Sequence, residues 1–304
     1  MTEGSKKAIV AAFIANVGIA IAKFVGYLIT RSAGMLAESV HSFADAGNQA
    51  LLFLGGRRAT RVATPTHPFG FGRERYFWSF AVALVLFSMG GLFAIYEGYH
   101  KLSDPHDIDS PWVAIGILVF ALVIEGFSLH TAIKEARHAK GLQSWWGFIR
   151  HSKQPELPVV LLEDAGAELG LVFALVGVVV AWQTGDPRWD AIGSMAIGVL
   201  LIVIAIVLII EMKGLLIGEA ASDADVAKIT EAMQSSPRVD AVVHMRTQHI
   251  GPDEILVAAK LEYDSALSFD DLSGAIDQTE ANVRAAVPAA RMIYIEPALR
   301  QPPT

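Results

Sequence analysis

Six apolar runs, each about 20 to 26 residues and so long enough to cross about 30 Å of hydrocarbon, constrain this chain more than any other feature. They cover residues 8–29, 33–56, 76–100, 111–136, 158–182 and 189–210. Lipid offers no partner to an unpaired backbone group, so runs of this length predict helices. The expected fold is an all-α six-helix transmembrane bundle over residues 1–211, followed by a small soluble domain over residues 212–304. The first run follows Lys6 and Lys7 but is longer than a signal-peptide core, and no small-residue cleavage site follows it. It is expected to be a retained span.

Basic residues set the orientation. Lys6 and Lys7 precede the first span, Arg57, Arg58, Arg61, Arg73 and Arg75 lie between the second and third, and Lys134, Arg137, Lys140, Arg150 and Lys153 surround the connection after the fourth. The alternate connections hold only Arg31, Lys101 beside Asp104, Asp107 and Asp109, and Arg188. The positive-inside rule puts both termini in the cytoplasm, in a multi-pass protein expected in the cell (inner) membrane. Lys23 and Glu97 fall near span ends, where snorkelling to the interface accounts for them. Trp145 and Trp146 read as interfacial anchors.

Residues 38–48 then place ionisable groups inside an apolar run. His41, Asp45 and Asn48 stand at i, i+4 and i+7 on one helix face. A carboxylate at membrane depth costs from about 3 to more than 10 kcal/mol, so it needs a partner. Imidazole and carboxylate one turn apart are ligands for a divalent cation, with the Asn48 amide oxygen as a weaker one; the plainer alternative is a buried polar knot that fixes helix packing. In the fifth span Asp164 and Glu168, also one turn apart, offer a second facing pair. Glu125, near the middle of the fourth span, reads as a proton carrier, an auxiliary ligand or a packing hydrogen bond.

The chain holds no cysteine, which excludes disulfides, thiolate metal sites and a cysteine nucleophile. No His-Glu-x-x-His or nucleophile motif is present, so an intramembrane metalloenzyme is not the expected reading, and no cofactor is expected. A divalent-cation channel fits less well than a carrier, because an uneven His-plus-acid set suggests tight binding rather than a ring of weak sites.

Past Glu211 charges become frequent. A helix capped by Asp223 or Asp225 and reaching residue 234 is expected first. Two strands over 239–248 and 254–263 follow, joined at Gly251-Pro252-Asp253, then a helix from Ser268 to residue 286 and a third strand over 291–295. The order is α-β-β-α-β, an α+β layer pair. Acids outnumber bases here and carry most of the net charge of −7, which argues against a nucleic-acid partner.

In this order and register, several motifs resemble the cation diffusion facilitator family of zinc and related divalent-cation/proton antiporters. His41-Ser42-Phe43-Ala44-Asp45 is similar to the family's second-helix metal motif, Asp164 to its fifth-helix carboxylate with Gly170 at the expected offset, Trp189–Ser194 to the start of its sixth helix, and His67-Pro68-Phe69-Gly70-Phe71-Gly72 to its second-to-third loop. The resemblance implies export of a divalent metal ion, zinc first and manganese, iron or cobalt otherwise, in exchange for protons, by a lipid-embedded homodimer paired through the cytoplasmic domain. It implies a metal site between the second and fifth helices. Val160 stands where the usual fifth-helix pattern has His or Asp, so the fourth position lies open to Glu168, Asn48, Glu125 or water, with Glu168 expected first. His67 is a possible loop site, and Lys260 stands where some relatives carry a metal ligand of the cytoplasmic domain.

Overall fold

The computed structural model describes residues 3–298, with side chains from Asn16 onward, so Lys6 and Lys7 lie outside the described side chains. Seven helices come first: α1 Glu3–Thr30, α2 Ala33–Ala59, α3 Glu74–Ser103, α4 Pro111–Lys140, the short α5 Trp145–His151, α6 Glu156–Thr184 and α7 Arg188–Ile217. Helices α3, α4, α6 and α7 are long and apolar enough to cross a membrane. The described part of α1, Asn16–Thr30, is apolar but shorter, and α2 has the length but carries the polar stretch. These six make the transmembrane bundle. Each runs past its apolar window by a few polar residues, because a helix continues into the interface until its ends are capped or hydrated.

Small and apolar residues from several helices fill the bundle centre, among them Ala37, Leu86, Leu118, Leu171, Ala174 and Leu201. Helix α4 shows how a span divides its faces. Ala114, Leu118 and Ala121 turn inward, while Phe120, Val123 and Phe127 are exposed, as suits contact with acyl chains. Helix α3 holds one widened π-helical turn, Leu86–Leu92. Helix α5 is capped by Ser144, whose hydroxyl accepts from the Gly147 amide, and Arg150 pairs with Glu211 of α7 at 2.8 Å.

The least apolar span, α2, is held at its start by a residue far away in sequence. Asp190, in the first turn of α7, accepts from Ser32 Oγ at 2.6 Å, from the Ala33 amide at 2.7 Å and from the Gly34 amide at 3.3 Å. Lys101 Nζ donates to Asp190 Oδ2 at 2.8 Å and to the Arg31 carbonyl at 2.8 Å. The carboxylate thus satisfies orphan amides of the α2 N-terminus and meets its positive dipole end. Asp190, Lys101 and Ser32 are all buried. Lys101, counted above among residues of an outer connection, is therefore a structural ion-pair partner.

Two compact units divide the chain, residues 1–57 with 77–213, and residues 58–76 with 214–304. The second unit contains α8 Asp223–Gln234, β1 Val239–Gly251, β2 Glu254–Tyr263, α9 Phe269–Ala286 and β3 Ala290–Ala298. The α-β-β-α-β order is as expected. The sheet order is β1-β2-β3, with β1 antiparallel and β3 parallel to β2. Ser222, rather than Asp223 or Asp225, caps α8, and its hydroxyl accepts from the Asp225 amide; Ser268 caps α9 in the same way. Both helices cover one sheet face, where Val257, Leu261 and Tyr263 meet Ile229 and Val283. The opposite face carries the row His244, Lys260, Glu296 and, beside it, the exposed Tyr294. Lys260 Nζ donates to Glu296 at 2.8 Å, and this bond holds the exposed Glu296 carboxyl below its usual range.

The connection between α2 and α3, residues 58–76, packs within this second unit. Arg75 Nη1 donates to Asp253 Oδ2 at 2.9 Å at the β1–β2 turn. At Gly72 a Cβ would lie 2.8 Å from the Ile250 carbonyl oxygen, so the close approach of the two backbones requires glycine.

Breaking a buried ion pair from one side leaves the other charge uncompensated. Asp190→Ala is therefore expected to destabilise the protein by about 3–5 kcal/mol, read as a lower thermal unfolding midpoint in detergent. An unchanged midpoint would show that this carboxylate does not hold α2.

Candidate metal site

Helical spacing brings His41, Asp45 and Asn48 to one side of α2, as the pattern predicts. His41 Nε2 lies 3.5 Å from Asp45 Oδ2. The His41 ring is fully buried on the side of α3, where a Cβ on Gly90 would lie 3.7 Å from its Nδ1, and neither ring nitrogen has a hydrogen-bond partner. Asp45 Oδ1 is likewise buried and unpartnered. Buried polar atoms in folded proteins are nearly always paired, so three orphans within one helical turn need an explanation.

Asp45 also faces the other way, into a cavity of about 80 Å³. The cavity runs between α1, α2, α4 and α6, and its wall includes Asn16, Asp45, Glu125, Ser128, Glu163 and Asp164. Ser128 Oγ donates to Asp164 Oδ2 at 2.9 Å. Asn48 Nδ2 donates to Glu163 Oε1 at 2.6 Å, so the amide orients a carboxylate of the facing helix. Helix α6 presents Val160, Glu163, Asp164 and Ala167 to the cavity, the i, i+3, i+4, i+7 stripe of one face.

The wall does not include Glu168. At about 100° per residue it lies about 80° around the helix from Val160, at the edge of that stripe, and its carboxylate stands 3.6 Å from where a Cβ would be on Gly126 of α4. Glu125 reaches the wall, but its Oε1 accepts from Lys23 Nζ at 2.7 Å. Lys23 is not at an interface. It is fully buried, and it also donates to Glu38 at 3.0 Å and Ser42 at 2.8 Å. Snorkelling fails there because Lys23 lies seven residues from the end of α1 and faces two acids inside the bundle. At Gly170 the space of a Cβ is occupied by Glu38 Oε1, so the motif glycine makes room for that carboxylate.

His67 lies exposed in the α2–α3 connection. Its ring centroid is 4.6 Å from that of Phe71, its Nδ1 is 3.2 Å from Thr66 Oγ1, and its backbone pairs with Thr64. These contacts shape the loop. Among the described residues, no three His, Asp or Glu side chains converge tightly enough to hold a metal ion as they stand. His41, Asp45, Glu163 and Asp164 share one neighbourhood, but not yet one point.

Glu163, Ser128, Lys23 and Glu38 had no assigned part in the site on sequence grounds. For Glu163 a signal existed, since it shares a face with Val160 and Ala167. For Lys23 and Glu38 nothing in a hydropathy window names the partner helix.

Comparison with known proteins adds an independent line. The family profile described as "Cation efflux transmembrane domain" matches residues 9–217, and that described as "Cation efflux protein, cytoplasmic domain" matches residues 221–298. The chain is 36% identical over 265 residues to the Xenopus laevis protein titled "Proton-coupled zinc antiporter SLC30A9, mitochondrial", covering 86% of this chain and 47% of that one. It is 32% identical over 265 residues to the Homo sapiens protein of the same name, covering 86% and 46%. It is 31% identical over 268 residues to "Metal tolerance protein C4" of Arabidopsis thaliana, covering 86% and 58%. The chain thus spans about half the length of these curated relatives.

Proposed function

Because the chain belongs to the cation diffusion facilitator family of cation efflux proteins, we propose that it exports a divalent metal ion, zinc in the first place, in exchange for protons. The carrying observation is the set of buried, unpartnered atoms at His41 and Asp45 beside a carboxylate-lined cavity. A cation between α2 and α6 satisfies Asp45 and one His41 nitrogen, the Nε2 that lies on the Asp45 side of the ring. His41 supplies nitrogen and Asp45 and Asp164 supply charge. Glu163, held by Asn48 on the cavity wall, takes the fourth position ahead of Glu168, with Asn48 in a supporting role. One nitrogen among oxygens suits zinc and also admits manganese, iron or cobalt.

Exchange follows from competition. The same carboxylate oxygens and imidazole nitrogen that bind the metal bind protons, so metal uptake releases protons and protonation releases metal. Rocking of the bundle around the cavity supplies alternating access. The membrane proposed is the cell (inner) membrane with both termini cytoplasmic; the frog and human relatives are named as mitochondrial proteins. A proton-coupled carrier saturates and moves protons, a channel does not saturate comparably, and an enzyme moves no ion.

Asp45→Ala and Asp164→Ala are each expected to abolish zinc flux in proteoliposomes while the protein stays folded, since either loss leaves a buried ion uncompensated. Near-wild-type flux in either variant would sink the site. For the fourth position, Glu163→Gln is expected to weaken metal binding about 10- to 100-fold and to flatten its pH dependence, because a proton-competing group is gone. Glu168→Gln should leave both unchanged. Calorimetric titration from pH 6 to 8 reads the difference, and the reverse ranking would return Glu168 to the site. Val160→His, which points a second nitrogen into the same cavity, should shift preference from manganese toward zinc.

The uncovered sheet face with His244, Lys260 and Tyr294 supports a homodimer through the cytoplasmic domain. Residues 218–304 expressed alone are expected to scatter light as a dimer. Monomeric mass at high micromolar concentration would count against this.

A further inference from the structure

The Lys23 cluster stands at one end of the proposed cargo cavity. On α1, Asn16 and Ile19 line the cavity and Lys23 continues their stripe one turn further. On α2 the stripe Asp45, Ser42 and Glu38 runs the same way, and on α4 it passes from Ser128 to Glu125. At 1.5 Å per residue, Asp45 lies about 18 Å from the start of α2, Glu38 about 8 Å, and Lys23 about 10 Å from the end of α1. The positive-inside rule makes those helix ends the outer ones. Lys23, Glu38, Ser42 and Glu125 therefore sit between the proposed cargo site and the outer surface.

The geometry around Nζ is that of a cation site with an ammonium in it. Three oxygens surround it: Glu125 Oε1 at 2.7 Å, Ser42 Oγ at 2.8 Å and Glu38 Oε2 at 3.0 Å. A divalent metal draws oxygen ligands to about 2.0–2.6 Å, so these atoms need approach by only a few tenths of an ångström to about one. The other oxygens, Glu38 Oε1 and Glu125 Oε2, are buried and have no hydrogen-bond partner. Two carboxylates surround a single positive charge here, which leaves the cluster one charge short of balance and matched to a doubly charged ion.

We propose that the Lys23 ammonium fills a second cation position, formed by Glu38, Glu125 and Ser42 at the outer end of the cargo cavity, which an exported ion takes in passing by displacing it. This rests on the export reading above. Lys23 then limits the resting chain to one ion in the membrane and keeps the outer acids from trapping cargo. The ion exchanges ionic contacts only, and charge balances when the displaced Lys23 ammonium gives up its proton, which leaves two carboxylates against one doubly charged ion.

Equilibrium dialysis of the purified full chain against Zn²⁺ tests the idea. Lys23→Met is expected to bind one more ion per chain than wild type, and Lys23→Met with Glu125→Gln to lose that extra ion. Should Lys23→Met unfold in metal-free buffer, Zn²⁺ is expected to restore a monodisperse protein, because binding to the native state stabilises it. An ion count equal to wild type in folded Lys23→Met, or failure to recover with Zn²⁺, overturns the second position and leaves Lys23 a packing residue. Asp45→Ala provides the separate control. It should bind one ion fewer than wild type, and if it does not, the cargo site itself falls and the outer position with it.

Discussion

A polar helix cannot be held in a membrane by its own hydrophobicity, and α2 is such a helix. It carries Glu38, His41, Asp45 and Asn48 within eleven residues, all turned toward protein. Its position comes from what other helices offer: Asp190 and Lys101 at its first turn, Lys23 at Glu38 and Ser42, and Glu163 opposite Asn48. In lipid the alternative to each contact is an unsatisfied group costing several kcal/mol. The remaining spans can be apolar because these few pairs specify where α2 goes.

Much of this architecture was legible in the residues. Spans of about 20 residues and the α-β-β-α-β tail follow from periodicity and turn residues, which are local properties. The reading failed where one position's role depends on a residue far along the chain. Lys23 lies two turns from a span end, where snorkelling is a sound expectation, and Lys101 falls in an outer connection, yet Lys23 meets the buried Glu38 15 residues away and the half-buried Glu125 102 away, and Lys101 meets the buried Asp190 89 away. Ser222 capping α8 in place of the nearby aspartates is a shift of one residue, the ordinary uncertainty of a helix start.

The site shows a subtler limit. An i, i+4 rule pairs Asp164 with Glu168, but the face of α6 that meets the cavity is centred nearer Val160 and Ala167, and that phase favours Glu163. Helix phase against a neighbour is set by packing, here by Gly170 admitting Glu38. The sequence names the helices and the chemistry. Only packing decides that Glu163 and Asp164 line the cavity while Glu168 lies off its wall.

The link between α1 and α2 is two residues, Arg31 and Ser32. At about 3.5 Å per residue, so short a strap keeps the joined helix ends within about 10 Å of each other in every state. The Lys23–Glu38 bridge cross-links the same pair two turns further in. Helices α1 and α2 are thus a single stiff lever hinged at a buried anchor, the Asp190 carboxylate. A lever pinned near one tip moves most at the other, so the largest excursions of this pair fall on the opposite side of the membrane from the pin.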